Sequence, residues 1–408
     1  MSAVPVSRVV SMMLIIVGNM LGAGILALPV TLSAAGFGPS ILGAALSCCF
    51  MFWTAVIYSR QKTLVENENA DLPTFFEAEL GPVGKWLTVI ANLIILYGLL
   101  VAYMSGVTTT VTSLVGTDIP PMLVTVLFFA VGVGVISFGM SILERCNALF
   151  IIVMAISFAM LVFLAMPQVE IPRLDRHMWV YLPAGLPVLV TAFHFHNIIP
   201  TICRGLQYDR KAITTAVLGG CISGLVINVI WIVVVLGAVP FDSGNGLDLI
   251  SAFHKNLPAT IPLSKIINSP LFTQAGLVFA LFAMTTSFMA NGTALYSFVQ
   301  DLASNTFNIQ SKKVAWGIAF LPTLFVSLVY PDIFIKAMDI VGGIGINIIF
   351  GLLPAVLVWK YAGENKTARY ASVLLFLFFG FILGFEIMQE MGLTHISPDT
   401  EYWKFYSS

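Results

Sequence analysis

Apolar runs of about 20 residues recur from one end of this chain to the other, each long enough to cross the roughly 30 Å hydrocarbon core of a bilayer. The runs are continuous rather than alternating in polarity, which selects helices over a closed barrel. Eleven spans are expected, near 9–35, 40–60, 85–114, 121–142, 147–166, 181–203, 212–239, 271–300, 314–330, 333–359 and 369–391. The 408 residues are 58% hydrophobic and only 10% charged, with a mean hydropathy of +0.96, whereas soluble domains are about a quarter charged. No stretch between the runs is long or polar enough to build its own core. Residues 1–408 therefore read as a single all-α membrane domain.

The formal net charge is −1, with no basic face, so nucleic acid is not an expected partner. With a cytoplasmic N-terminus, thirteen of the 19 Lys and Arg residues fall on the inner side, as the positive-inside bias requires. An odd number of spans then leaves the C-terminus outside. The longest connections are 61–84, acidic and inside, and 240–270, outside with Pro258, Pro262 and Pro270, which is expected to cap an outer vestibule. Cys48, Cys49, Cys146, Cys203 and Cys221 lack metal-ligand spacing and read as small buried hydrophobes, so no resident metal or cofactor is expected. The tail from Thr394 to Ser408 carries no interpretable pattern, and the sequence leaves the oligomeric state open.

Two spans are interrupted at mid-depth. The first contains Gly18-Asn19-Met20-Leu21-Gly22-Ala23-Gly24, followed by Pro29. Each glycine costs up to about 1 kcal/mol in a helix interior. The run therefore predicts unwound backbone, although small residues also let helices pack closely. The sixth contains Phe193-His194-Phe195-His196-Asn197-Ile198-Ile199-Pro200, with two imidazoles and an amide at a depth where polar groups are costly unless they face a cavity or a partner. Spans one and six hold the same place in successive blocks of five, about 9–166 and 181–359, with one extra helix at 369–391. Paired interruptions of this kind point to the central site of a transporter, whose half-helix ends hold the charged groups of a substrate. An amino acid, carrying both charges, suits such a site.

The residues Gly22-Ala23-Gly24-Ile25-Leu26-Ala27-Leu28-Pro29, Ala102-Tyr103-Met104-Ser105-Gly106, Thr191-Ala192-Phe193-His194-Phe195-His196 with Pro200, and Thr286-Ser287-Phe288 give the chain a further likeness. Over nearly its whole length it resembles the hydroxy/aromatic amino acid permeases of the amino-acid-polyamine-organocation superfamily, and within them the tryptophan and tyrosine permeases. The resemblance implies a LeuT-like five-plus-five inverted repeat with discontinuous helices 1 and 6. It also implies secondary active import of an aromatic amino acid across the bacterial cytoplasmic membrane, driven by proton symport. Two alternatives stand beside this reading, sodium coupling and a hydroxy amino acid (serine or threonine) as substrate. The family pattern has glycine where this chain has His194 and Asn197, whereas His196 matches.

For the substrate, the residues indicate the backbone of Asn19, Met20, Gly22, Ala23 and Gly24, with Phe193 and Phe195 as an aromatic wall. The resemblance adds Tyr103, preferred over Tyr97, and His196. For the cation, His196 and then His194 are the proton candidates, because imidazole titrates near neutral pH. Thr286 and Ser287 align with hydroxyls that join span-one carbonyls around sodium in related carriers, which would place an ion near Gly18 and Leu21. Their hydroxyls also suit bonding back to the preceding turn. Glu386 is an intramembrane carboxylate on the helix outside the repeat, and Asn291 and Asn347 are amides at similar depth. No enzyme constellation such as HExxH or GxSxG occurs, and the paired breaks suit alternating access better than a channel filter.

Overall fold

A computed structural model describes residues 4–66, 71–116, 119–138, 140–244 and 246–394. Lys404 and the tail beyond Thr394, like the side chains of Arg145 and Cys146, lie outside the described residues. Helices and turns make up the rest, with one isolated bridge between Gly36 and His177.

The first span is a broken pair, α1 (Val6–Met20) and α2 (Gly24–Leu32), bent by 58°. It is followed by α3 (Phe37–Ser59), a short α4 (Lys62–Val65) and α5 (Leu72–Leu114). Next come α6 (Pro121–Phe138) and α7 (Met140–Ala165). The sixth span is again broken, into α8 (Leu182–Ala192) and α9 (Ile199–Gly205). Beyond it lie α10 (Arg210–Ala238), the short α11 (Leu249–His254) and α12 (Thr260–Ile267), α13 (Pro270–Phe307) and α14 (Lys312–Val329). The chain then runs through α15 (Phe334–Ile340), a π-helical stretch Val341–Leu352, α16 (Leu353–Ala362) and α17 (Lys366–Glu390).

Among the described residues nine helices are long and apolar enough to cross a membrane, and the bent pair α1–α2 makes a tenth. The stretch expected at 121–142 is the shorter helix α6. The connection expected at 61–84 is largely helical instead. The side chain of Asp71 caps α5 by accepting from the Thr74 amide at 2.6 Å, so helix starts there rather than at 85. Gly81, at φ 74°, then turns the chain into the spanning part.

One end of the bundle carries Val6, α4 and the start of α5; the other carries 166–181 and 240–270. At that second end α11 lies over α2, α12 packs on α13, and the Ala259 amide before α12 donates to the Leu26 carbonyl of α2 at 2.9 Å. Arg173 donates to the end carbonyls of α10 at Gly237 and Ala238, and Arg176 to Ala34 beside the Phe241 ring. These bonds satisfy helix-end groups that the bilayer core could not. Inside the bundle α13 packs on α5 and α7, α1 on α10, and the π-helical stretch on α5, α8 and α17.

Candidate functional site

Both breaks are set by local chemistry. At the first, Leu21 leaves helical geometry at ψ 24°, and the glycines that follow admit close neighbours. A Cβ on Gly22 would lie 3.0 Å from the Ser287 Oγ, and one on Gly24 3.1 Å from the Ala192 Cα, so α2 crosses almost against the backbone of α8. At the second break Phe193 and Phe195 depart from helix, a single 3₁₀ turn covers His196–Ile198, and Pro200 sits in the first turn of α9, where its missing N–H costs nothing. The proline thus begins a helix rather than kinking one.

The side chain of Asn19 joins the two breaks. Its Nδ2 donates to the His194 carbonyl at 3.1 Å and to the Asn197 Oδ1 at 3.3 Å. Beside this tie lies a cavity of about 280 Å³, walled by α1–α2 from Ile15 to Gly24 and by Thr191, His194 and Asn197 of the second break. Tyr103 of α5, Met154 of α7, Met338 of α15 and Thr286 to Asn291 of α13 complete it. Among the described residues, no Asp, Glu, Lys or Arg stands in this wall. The only fixed charges it offers are the helix termini, partly positive at the start of α2 and partly negative where α1 and α8 end. The arrangement can hold a small molecule bearing both an anionic and a cationic group, such as a zwitterion.

A second cavity of about 330 Å³ shares His194, Asn197, Ala290 and Asn291 with the first and reaches Leu64, Asp71 and Leu72 at the end that carries Val6. Towards the other end the bundle is shut. The Thr191 hydroxyl donates to the Met338 carbonyl at 3.1 Å, and a Cβ on Gly342 would overlap the Pro187 carbonyl. In this conformation the central cavity adjoins a vestibule at the end that carries Val6.

The structure sorts the candidates. Gly18, Asn19, Met20, Gly22, Ala23, Gly24, Tyr103, His194, Thr286 and Ser287 share the central wall. Phe193 and Phe195 do not: both are fully buried in the packing around the break, so the expected aromatic wall is absent. The apolar side is built instead from Ile15, Met20, Leu99, Ile151, Met154 and Met338. His196 lies in the vestibule wall, sharing a 2.9 Å hydrogen bond with the Thr54 hydroxyl and with its ring against Phe350. Leu21 is outside the wall, and Thr286 donates back to the Phe282 carbonyl at 2.8 Å, as hydroxyls in helices do. Tyr97 donates to Ile318 at 2.6 Å, away from the cavity. Asn291 was legible only as a buried-depth amide, yet it links the Tyr103 hydroxyl at 3.4 Å to the Ser287 carbonyl at 2.9 Å. Met154 and Met338 carry no signal that would separate them from the other methionines among 17.

The sequence pattern of the tryptophan/tyrosine permease family matches residues 6–399. A tyrosine-specific transport system of Haemophilus influenzae is 26% identical over 377 residues, 89% of this chain and 91% of the relative. A low-affinity tryptophan permease of Escherichia coli is 27% identical over 381 residues, 85% and 86% of the two chains. Among solved structures, a manganese transporter from Eremococcus coleocola superposes with a TM-score of 0.59 at 12% identity, covering 93% of this chain and 85% of its own. At that identity the likeness speaks for the helical arrangement alone. With the broken helices, the cavity between them and a match along almost its whole length, the chain belongs to the tryptophan/tyrosine permease family.

Proposed function

We propose that this protein carries an aromatic amino acid, tryptophan or tyrosine, across the bacterial cytoplasmic membrane by proton symport. The observation that carries the reading is the central cavity, which meets three helix termini and, among the described residues, no charged side chain, beside a half-wall of aliphatic and thioether groups. The substrate carboxylate lies at the start of α2 and its ammonium group near the last carbonyls of α1 and α8. The ring packs on Met20, Met154 and Met338, where each sulfur–aromatic contact is worth about 0.3–1.5 kcal/mol. Membership of the family and the specificities of the named relatives support an aromatic substrate over serine or threonine.

In this reading eleven spans form a LeuT-like five-plus-five repeat with α1–α2 and α8–α9 as its broken helices, and α17 lies outside it. The N-terminus is cytoplasmic and the C-terminus outside, so the vestibule opens inward and the conformation is inward-facing. Proton coupling is favoured over sodium because the ligand set expected for sodium is incomplete in the cavity wall: Gly18, Thr286 and Ser287 stand in it, and Leu21 does not. His194, whose buried Nε2 has no hydrogen-bond partner among the described residues, borders both cavities.

Counterflow of labelled tryptophan in proteoliposomes, competed with unlabelled tryptophan, tyrosine, phenylalanine, serine and leucine, tests the substrate. Competition by the aromatic set alone is expected. Equal competition by serine, or none by any of the five, would overturn the assignment.

A further inference from the structure

Glu386 sits in the last part of α17, on the helix outside the proposed repeat, and is 1% exposed. Its carboxyl carbon lies 2.8 Å from where a Cβ on Gly343 would stand, so the carboxyl rests flush on the π-helical stretch at this bare position. The Oε1 is shielded from solvent and has no hydrogen-bond partner among the described residues. The nearby cation is already engaged, since the Lys336 Nζ lies 3.3 Å from Glu390. Asp339, one residue beyond the cavity-lining Met338, also has a buried oxygen without a partner among the described residues.

The groups facing Glu386 are therefore Lys336 and Asp339 from α15 and Glu390 from its own helix. Of the other elements packed on α17, α8 and the π-helical stretch have no charged residue, and the Lys360 of α16 is held by Glu79 at the opposite end of the bundle. An ionised carboxylate with neither partner nor water is very costly, and a proton removes that cost. No metal-binding group exists here among the described residues, so the proton is the ligand the chemistry fits.

The carboxyl is also mechanically placed. Gly342, next to Gly343, touches the Pro187 carbonyl of α8, and Met338, four residues earlier, holds Thr191. One face of a single helical segment thus bears Glu386 and another clamps the half-helix that walls the cavity. π-Helical stretches are rare in proteins and recur at functional sites.

We propose that Glu386 is a proton-binding site, loaded by way of Asp339 from the end that carries residues 240–270, and that its occupancy sets the packing of Val341–Leu352 on α8. With the proton bound the carboxyl seats on Gly343 and that end closes. Without it the charge draws away towards water and Lys336, and the clamp on α8 loosens. The inference rests on the proton symport proposed above and assigns its coupling site.

The test is accumulation of labelled tryptophan in proteoliposomes under an imposed proton gradient, with substrate-induced alkalinisation read alongside, for wild type and Glu386→Gln. Glu386→Gln is expected to lose accumulation and alkalinisation at least tenfold while counterflow, which moves no net proton, persists. Accumulation at the wild-type level overturns this inference and leaves the symport standing. Equal loss of counterflow and accumulation assigns Glu386 a structural role and overturns it too. A wild-type protein indifferent to the proton gradient brings down the symport and the inference together. Should Glu386→Gln not reach the membrane, Asp339→Asn carries the test: a proton-driven rate reduced severalfold supports the relay, and an unchanged rate overturns it.

Discussion

The Asn19 amide holds the carbonyl of His194 across the middle of the bundle, 175 residues away in the chain. One side chain thus ties two helices at the points where both are unwound, and each break is held in register by the other. The same amide reaches the Asn197 Oδ1 at 3.3 Å.

Asn19→Ala removes two hydrogen bonds at the edge of the cavity, each worth about 0.5–1.5 kcal/mol net. Half-saturation for tryptophan uptake should rise roughly five- to a hundredfold by that arithmetic, with little change in protein level. Unaltered uptake kinetics would show that the tie does not shape the site.

Gly342→Ala places a methyl group on the Pro187 carbonyl, which is backbone and cannot rotate away. Overpacking of this kind costs about 1–3 kcal/mol or more. The thermal unfolding midpoint in detergent should fall by several degrees and transport should fail, whereas Gly134→Ala, which meets open space, should leave both near wild type.

Phe195→Ala and Met154→Ala separate packing from recognition. Phe195 is fully buried and off the cavity wall, so its truncation should cost about 3–5 kcal/mol of stability while the order of substrate preference is kept. Met154 lines the cavity, and its truncation should weaken tryptophan roughly two- to tenfold. A counterflow competition panel on both variants checks the contrast.

How much of this was legible beforehand follows from what each feature depends on. The breaks were visible because Gly22, Gly24 and Pro200 act locally, within a turn of where they stand. The identity of the apolar wall was not, because the direction in which Phe193 and Phe195 point depends on how the unwound segment twists, and that is fixed by packing against helices distant in sequence. Met154 and Met338 come from helices far apart in sequence and meet only through packing. The helical start of α5 was underestimated because its Asp71 cap lies in a polar stretch that a hydropathy window reads as loop. The π-helical form of Val341–Leu352 has no periodicity signal, since its apolar residues run all round the helix.

Outside the membrane, Asp248 caps α11 and gathers bonds from the Ser251 amide at 2.7 Å and from the Ser243 amide and hydroxyl. Burial alone would raise the titration of this carboxyl, but the bonds from Ser251 and Ser243 outweigh it and hold it below the ordinary aspartate value. A group depressed in the folded state stabilises fully above its unfolded value, near 3.9, and loses that contribution as pH falls through the folded value. Asp248→Ala should therefore be less stable than wild type at pH 7 by about 0.5–2 kcal/mol, the worth of a cap. The gap should narrow once wild-type Asp248 is itself protonated in acid. Paired thermal melts at neutral and acid pH measure it, and a gap that persists unchanged in acid would refute the account of Asp248.

The most direct test of the central claim is uptake of labelled tryptophan and tyrosine into proteoliposomes, with proton and sodium gradients imposed independently. Accumulation of either amino acid above its external concentration under a proton gradient alone, abolished by a protonophore, is the predicted result. Accumulation that requires sodium and ignores the proton gradient, or no accumulation of either amino acid under any gradient, would contradict it.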